Sequence, residues 1–209
     1  EGPPPEGVHS PAPPSRGLTA GIAARDGVRP EQVLCGAGAA DLIFRLVWAQ
    51  RPRRAMVTAP TFSEYGQALR AAGAEVMSHR LRKEDGFDLT EDILRPIGHD
   101  LDMLFLCTPN NPTGRTIPPA LLEAVARRCG EMGVRLVVDE CFLELTDGAQ
   151  GLAGRLEEFP TLILLRAFTK SYAIPGLRLG YCLTADRALL ERMEACAPAW
   201  AVSVPAQAA

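Results

Sequence analysis

The chain has 209 residues, of which 47% are hydrophobic and 22% charged, and its formal net charge at pH 7 is −3. A chain of this length and composition can bury a hydrophobic core as one domain, so we do not expect disorder. The weak negative charge argues against binding to nucleic acid, which requires a basic surface. No apolar run is long enough to span a membrane, so we expect no membrane contact either.

The cysteine and histidine patterns favour a reducing compartment and argue against a metal site. The chain has six cysteines without a C-x-x-C pair, and most lie in apolar stretches such as "VLCG" and "LFLCTP". Such cysteines are typical of small core residues in the cytoplasm. The three histidines are far apart, and the chain opens without the apolar segment of a secretory signal. We therefore expect a cytoplasmic protein without a metal ion.

The first 17 residues are rich in proline and predict an irregular, exposed lead-in, with the domain occupying residues 18–209. Beyond the lead-in, short apolar stretches alternate with amphipathic ones, which predicts alternating strands and helices. The predicted strands are 32–36, 54–60, 75–80, 102–109, 134–140, 161–168 and 178–184. The predicted helices are 39–50, 61–73, 90–97, 118–133 and 187–197, with Thr90 capping the third.

This alternation indicates an α/β fold in which a mostly parallel sheet is covered by helices on both faces. In such sheets, ligands bind beyond the carboxyl ends of the strands, so the residues that follow each strand are candidate site residues. Three of these segments are unusual: "GAGAAD" (36–41), "PNNPTG" (109–114) and Asp139 with Glu140. A glycine turn before a helix suits an anion, and a carboxylate that ends an apolar strand needs a cationic or hydrogen-bonding partner. Ordinary turns and a helix N-cap are the structural alternatives.

Lys170 is one of only two lysines in a chain with 20 arginines. The other, Lys83, lies in the charged segment "RLRKEDG", where we expect it to be solvated. Lys170 follows an apolar run, and a lysine amine at the edge of a desolvated pocket can form a Schiff base, which arginine cannot. Arg178 lies eight residues further on and offers a planar fork suited to a phosphate. Structural salt bridges are the alternative for both side chains.

Five stretches together resemble the fold-type I pyridoxal-phosphate enzymes of the class I and II aminotransferase family: "GAGAAD", "APTFSEY", "CTPNNPTG", "VVDECF" and "FTKSYAIPGLRLGY". They occur in family order and at family-like spacing. The resemblance implies pyridoxal 5′-phosphate as the cofactor and the three-layer αβα large domain of that fold. It also implies a longer, homodimeric enzyme with a C-terminal small domain and an N-terminal arm, of which this chain is the cofactor-binding part.

The resemblance assigns a role to individual residues. Lys170 forms the Schiff base with the cofactor, Asp139 pairs with its pyridinium nitrogen, and Asn111 hydrogen-bonds its ring hydroxyl. Tyr65 stacks on the ring face. The phosphate is held by the turn and helix start at Gly38, Ala39 and Ala40, and by Thr169 and Arg178. A carboxylate beside the pyridinium keeps it protonated, and the protonated ring is an electron sink.

Within the family, "APTFSEYGQALRAAGAEV" and "KSYAIPGLRLGY" are most similar to the threonine-phosphate decarboxylases of cobalamin biosynthesis. Phe142 in "DECF" favours the same group, because many aminotransferases carry tyrosine there. This predicts decarboxylation of L-threonine O-3-phosphate to aminopropanol phosphate. A histidinol-phosphate aminotransferase is the alternative, and either enzyme acts on a small phosphorylated amino acid or amine. A truncated, inactive protein of the same fold is a third hypothesis, whereas a cofactor-sensing regulator would need a DNA-binding segment that the sequence lacks.

Overall fold

A computed structural model describes residues 16–147, 151–198 and 200–208. The described part begins in helix α1, Arg16–Asp26, which the sequence patterns did not predict. Residues 16 and 17 are therefore helical, and their assignment to the irregular lead-in was wrong. The rest of the lead-in lies outside the described residues. Ile22 and Ala23 anchor α1, because both side chains are buried in the core.

Within the described residues, seven strands form one sheet in the order β1-β7-β6-β5-β4-β2-β3. Neighbouring strands from β2 to β6 pair in parallel, whereas β7 is antiparallel to both β1 and β6. The strands are β1 Val33–Gly36, β2 Arg54–Ala59, β3 Glu75–Arg80, β4 Met103–Cys107, β5 Arg135–Asp139, β6 Leu162–Ala167 and β7 Gly180–Leu183. All seven predicted strands are present, and the mostly parallel sheet is confirmed.

In the part of the chain that the structure describes, six further helices connect or follow the strands. They are α2 Ala39–Gln50, α3 Ser63–Ala71, α4 Pro119–Met132, α5 Phe168–Ser171, α6 Arg187–Ala195 and α7 Val204–Ala208. The predicted helix 90–97 is only a 3-10 turn at Glu91–Leu94. Thr90 does not cap it, because its hydroxyl bonds the Asp92 carboxylate and not a backbone amide. Among the residues the structure describes, no helix is long and apolar enough to cross a membrane.

Helices cover both faces of the sheet. Side chains alternate across each strand, so each face presents its own set of apolar residues to the helices. On one face, Leu104 and Leu106 of β4 belong to a buried cluster that includes residues of α1 and α4. On the other face, Phe105 belongs to a cluster that includes residues of α2, α3 and α6. Each fully buried side chain of this kind contributes about 1.5–3 kcal/mol to stability. The predicted three-layer α/β architecture is confirmed.

Candidate active site

The topology brings the carboxyl ends of six strands, β1 to β6, to one edge of the sheet. The strands β2 to β6 are parallel to one another, and β1 points the same way because β7 is antiparallel to both β1 and β6. Gly180, the first residue of β7, pairs at this edge with Gly36 of β1 and Ala167 of β6. All of the predicted site residues lie at this edge or in the segments that meet it: Gly38, Ala39, Ala40, Tyr65, Asn111, Asp139, Thr169, Lys170 and Arg178.

Gly38 and Arg178, which are distant in the sequence, lie against each other at the start of α2. Gly38 has a φ of 90°, and a Cβ placed on it would be 2.9 Å from Arg178 Nη2. A Cβ on Gly180 would be 2.7 Å from the Gly38 carbonyl carbon and 2.8 Å from the Ala39 nitrogen, so β7 also approaches this turn closely. The amides of Ala39 and Ala40 are in the first turn of the helix, where N–H groups have no intrahelical acceptor.

This arrangement suits a phosphate. In the described part of the chain, no carboxylate lies within 4.0 Å of the Arg178 guanidinium, so its fork is available to an anion. The positive end of the α2 dipole and the free amides add to the positive electrostatic potential that attracts an anion. Thr169, in the first turn of α5, is half-buried at the same edge of the sheet. The structure thus brings together two predicted phosphate-binding segments, the turn at Gly38 and the segment of Arg178, that lie far apart in the chain.

Asp139 is a buried carboxylate without a cationic partner. The residue is 4% exposed, and its Oδ2 accepts a hydrogen bond from the Tyr65 hydroxyl at 2.6 Å. Its Oδ1 accepts one from the Cys141 amide at 2.9 Å. No basic side chain of the described residues comes within 4.0 Å of it. Burying an unpaired carboxylate is costly, so this site fits a ligand that brings its own positive charge.

Tyr65 supports Asp139 and does not present a ring face to a ligand. It is 0% exposed, and its ring stacks on Phe105 with centroids 5.0 Å apart and an interplanar angle of 16°. Burial and, secondly, the Asp139 carboxylate raise the pKa of the Tyr65 hydroxyl well above its usual value, so it remains a donor. The prediction that Tyr65 stacks on the cofactor ring is therefore wrong in this structure, because its surroundings leave no open face.

Phe62 is the better candidate for that ring contact, and the sequence reasoning missed it. It is half-buried immediately before α3 and lies edge-on to Tyr65, with ring centroids 5.5 Å apart. The signal was present in "APTFSEY", where Phe62 directly follows the turn at the end of β2. That stretch contains two aromatic residues suited to the ring contact, and only their burial in the folded chain distinguishes them.

Of the two consecutive asparagines after β4, one stabilises the turn and the other is open to a ligand. Asn110 is buried, and its amide donates to Pro60 O at 3.0 Å and to Thr113 Oγ1 at 2.9 Å. Its side-chain oxygen accepts from Thr61 Oγ1 at 2.9 Å. Asn111 is half-buried, and its side chain has no hydrogen bond to any residue that the structure describes. Asn110 therefore holds the turn, and Asn111 is free to bind a ligand.

Lys170 lies in α5, directly after β6, and its side chain is exposed. Its Nζ is 5.8 Å from the centroid of the Phe142 ring. No carboxylate of the described chain forms an ion pair with it. The expected desolvated pocket around the amine is absent from this part of the chain, so the sequence correctly placed Lys170 at the edge but overestimated its burial.

Residues 22–209 match the family model of aminotransferase class I and II. The chain belongs to this family. Its members are pyridoxal-phosphate enzymes, which confirms the predicted cofactor. The residues described above fit that cofactor: an unpaired buried carboxylate suits a pyridinium nitrogen, and the Arg178 cradle suits a phosphate.

Two curated relatives illustrate the range of the family. The chain is 43% identical over 171 residues to a threonine-phosphate decarboxylase of Salmonella typhimurium, which covers 82% of this chain and 47% of the relative. It is 34% identical over 145 residues to a histidinol-phosphate aminotransferase of Francisella philomiragia, which covers 69% of this chain and 40% of the relative. The chain thus spans about half the length of the curated relatives it matches.

Solved structures confirm the large-domain fold. The histidinol-phosphate aminotransferase from Clostridium acetobutylicum matches with a TM-score of 0.88 at 23% identity, over 96% of this chain and 59% of that one. The L-threonine-O-3-phosphate decarboxylase from Porphyromonas gingivalis matches with a TM-score of 0.81 at 25% identity, over 95% of this chain and 58% of that one.

Proposed function

We propose that the enzyme containing this chain decarboxylates L-threonine O-3-phosphate to aminopropanol phosphate with pyridoxal 5′-phosphate. The observation that carries the proposal is the 43% identity to a threonine-phosphate decarboxylase across 82% of this chain. The identity to histidinol-phosphate aminotransferases is lower, at 34% and 33% for two of them. Phe142 supports the same choice, because its ring lies beside the Lys170 amine and offers no hydroxyl to a ligand.

Each residue of the site would hold a different part of the cofactor. Lys170 would attach it covalently, Asp139 would bind the pyridinium nitrogen, and Asn111 would bind the ring oxygen. Phe62 would contact the ring. The phosphate would be bound by Gly38, Ala39, Ala40, Thr169 and Arg178. When bound, pyridoxal phosphate supplies an electron sink for the bond that breaks at the amine-bearing carbon of the substrate.

Asp139 would keep the proton on the ring nitrogen. A buried carboxylate with a single cation nearby stabilises that cation strongly, because little water screens the pair. The hydrogen bonds from the Tyr65 hydroxyl and the Cys141 amide hold the two oxygens in fixed orientations. The site therefore needs no reorganisation of Asp139 when the cation arrives.

The two candidate reactions differ in the direction of proton transfer at the substrate carbon. Decarboxylation leaves a carbon that must gain a proton, whereas transamination begins with the removal of a proton from that carbon. The amine of Lys170 can serve either reaction. We retain a histidinol-phosphate aminotransferase as the second candidate because relatives of that name match 69% and 87% of this chain.

Cofactor attachment is tested by borohydride reduction and peptide mapping. The protein is incubated with pyridoxal phosphate, reduced, digested and analysed by mass spectrometry. We expect the label on the peptide that contains Lys170. Lys170→Arg should abolish it, and the matched control Lys83→Arg should retain it. Label found only on Lys83 would refute the assignment.

The reaction is tested by supplying O-phosphothreonine and measuring carbon dioxide and aminopropanol phosphate. A parallel reaction contains histidinol phosphate and 2-oxoglutarate, and glutamate is measured. Amine product in the first reaction supports the decarboxylase. Glutamate in the second reaction, without amine product in the first, establishes the aminotransferase. Labelled Lys170 with neither product would identify a cofactor-binding protein without either activity.

A further inference from the structure

A buried charge network joins α1 to the strands that carry the proposed catalytic residues. Arg166 Nη1 lies 3.2 Å from Asp26 Oδ1, and Arg166 Nη2 lies 2.7 Å from Glu140 Oε2. The Arg166 Nε donates to the same Glu140 oxygen at 2.9 Å. The three side chains are enclosed, with exposures of 4% for Asp26, 0% for Glu140 and 14% for Arg166.

The position of this network in the chain links it to the site. Glu140 directly follows Asp139 at the end of β5, and Arg166 lies near the end of β6, four residues before Lys170. One guanidinium therefore connects the two strand ends that carry the proposed catalytic groups. Asp26 fastens that guanidinium to α1 and also accepts a hydrogen bond from the Tyr181 hydroxyl at 2.9 Å.

A second contact from α1 reaches the same segment. The Arg25 guanidinium lies 5.2 Å from the centroid of the Phe168 ring and 5.5 Å from that of Tyr172. These two rings flank Lys170 in the sequence and contact each other at 5.3 Å. The end of α1 thus holds residues on both sides of Lys170, so the segment is fixed from one side while the amine reaches Phe142.

Stability alone does not account for such a network. Removing two carboxylates and a guanidinium from water costs about as much as their attraction returns, and apolar residues of similar volume are often as stable. Burial raises the pKa of Glu140 in spite of its bond to Arg166, which reflects this cost. What charged groups supply and apolar ones do not is a directed geometry, here between two strand ends.

We propose that Asp26 and Arg166 are positioning residues that set the separation between the Asp139 carboxylate and the Lys170 amine. This inference rests on the proposed cofactor chemistry of those two residues. It makes α1 part of the functional unit, although α1 contributes no residue to the predicted cofactor contacts.

The decisive variants keep the fold and change the network. Arg166→Lys keeps the charge and removes the fork. The triple variant Asp26→Asn, Glu140→Gln, Arg166→Met is neutral. It avoids the unpaired Glu140 carboxylate that Arg166→Met alone would leave, beside an Asp26 carboxylate paired, among the described residues, only with Arg25 at 3.8 Å. The matched control is Arg155→Lys, because Arg155 also donates from Nε and Nη2 to one glutamate, Glu158, at 2.8 Å for each bond, but at the surface.

Three kinds of experiment are made on each variant. The first measures the free energy of unfolding. The second measures the affinity for pyridoxal phosphate, together with the absorption spectrum of the adduct and the pH midpoint of that spectrum, and the third measures amide hydrogen exchange. We expect Arg166→Lys to weaken cofactor affinity at least about tenfold and to shift the pH midpoint of the spectrum. The triple variant should unfold with a free energy close to that of the unchanged chain and still show the altered spectrum. Arg155→Lys should change neither the cofactor affinity nor the absorption spectrum of the adduct.

Hydrogen exchange tests the geometry without cofactor. The Glu140 amide donates to Leu165 O at 2.8 Å, which ties β5 to β6 at the relevant edge. We expect this amide to exchange faster in Arg166→Lys but not in Arg155→Lys. Unchanged exchange, or an unchanged spectrum in the triple variant, would overturn the inference and leave the proposed function standing. Absence of any Lys170 adduct in the unchanged chain would overturn the proposed function and this inference with it.

Discussion

Replacing Tyr65 with phenylalanine isolates the hydrogen bond that supports Asp139. The change removes one hydroxyl group and keeps the ring stack on Phe105. The lost bond is 2.6 Å long and ends on a carboxylate that is 4% exposed. Hydrogen bonds to charged groups contribute about 1.5–3 kcal/mol, and leaving a buried charge short of a donor belongs at the upper end of that range.

We therefore expect Tyr65→Phe to lower the free energy of unfolding by about 2–3 kcal/mol. For a chain of this length, that corresponds to a decrease in Tm of about 4–12 °C. Urea unfolding followed by far-UV circular dichroism measures the difference. The control is Tyr172→Phe, because Tyr172 is 54% exposed and its hydroxyl forms no side-chain hydrogen bond to the residues described by the structure. Surface changes of this kind remain within about 0.5 kcal/mol.

A Tyr65→Phe variant as stable as Tyr172→Phe would refute the reasoning. It would mean that Asp139 either recruits another donor or is not held as an ionised, dehydrated group. The role of Tyr65 as a support for Asp139 would then fail, and with it the argument that the carboxylate is preorganised for a pyridinium.

Three further predictions concern the core and the anion cradle. Cys196 is the exposed cysteine of the six, so the folded protein should react with one equivalent of Ellman's reagent and the unfolded protein with six; more than one fast thiol would contradict the packing. Burial raises the pKa of the Cys35 thiol from 9.0 to about 11. The contribution of this thiol to the free energy of unfolding is therefore complete below about pH 9 and is lost as the pH rises to about 11, a decrease of roughly 2–3 kcal/mol in all. Cys35→Ala should remove that part of the pH dependence in urea unfolding. Gly180→Ala places a methyl group 2.7 Å from the Gly38 carbonyl carbon and should cost about 1–3 kcal/mol, with Gly176→Ala, whose Cβ would meet nothing within 4 Å, as a neutral control; equal stability of the two variants would show that the cradle is not tightly packed.

The local pattern of the sequence determined most of the secondary structure. Strand and helix periodicity depends on residues within one or two turns of each other, so all seven strands and four of the five predicted helices are present in the structure. The exceptions have local causes. The stretch 90–97 contains Pro96, and α1 has a glycine-rich composition, "RGLTAGIAARD", that carries little amphipathic signal. Family motifs, which are also local, identified the cofactor.

The roles of individual side chains were decided by tertiary contacts. Tyr65 and Phe62 are three residues apart in one motif, yet Tyr65 is buried against Phe105, whereas Phe62 remains partly open. Asn110 and Asn111 are chemically identical neighbours, and only the approach of Pro60 and its surrounding loop assigns the turn to one of them. In each pair, the residue types are equally suited to the role, so burial and partners make the choice.

The charge network is the feature that sequence patterns predict least. Asp26, Glu140 and Arg166 come from three separate elements, and each is an ordinary charged residue in its own segment. They meet because the end of α1 reaches the ends of β5 and β6, where Arg166 lies 3.2 Å from Asp26 and 2.7 Å from Glu140. A sequence states which charges exist. Their distances, and the loss of water that makes them matter, arise only when the chain folds.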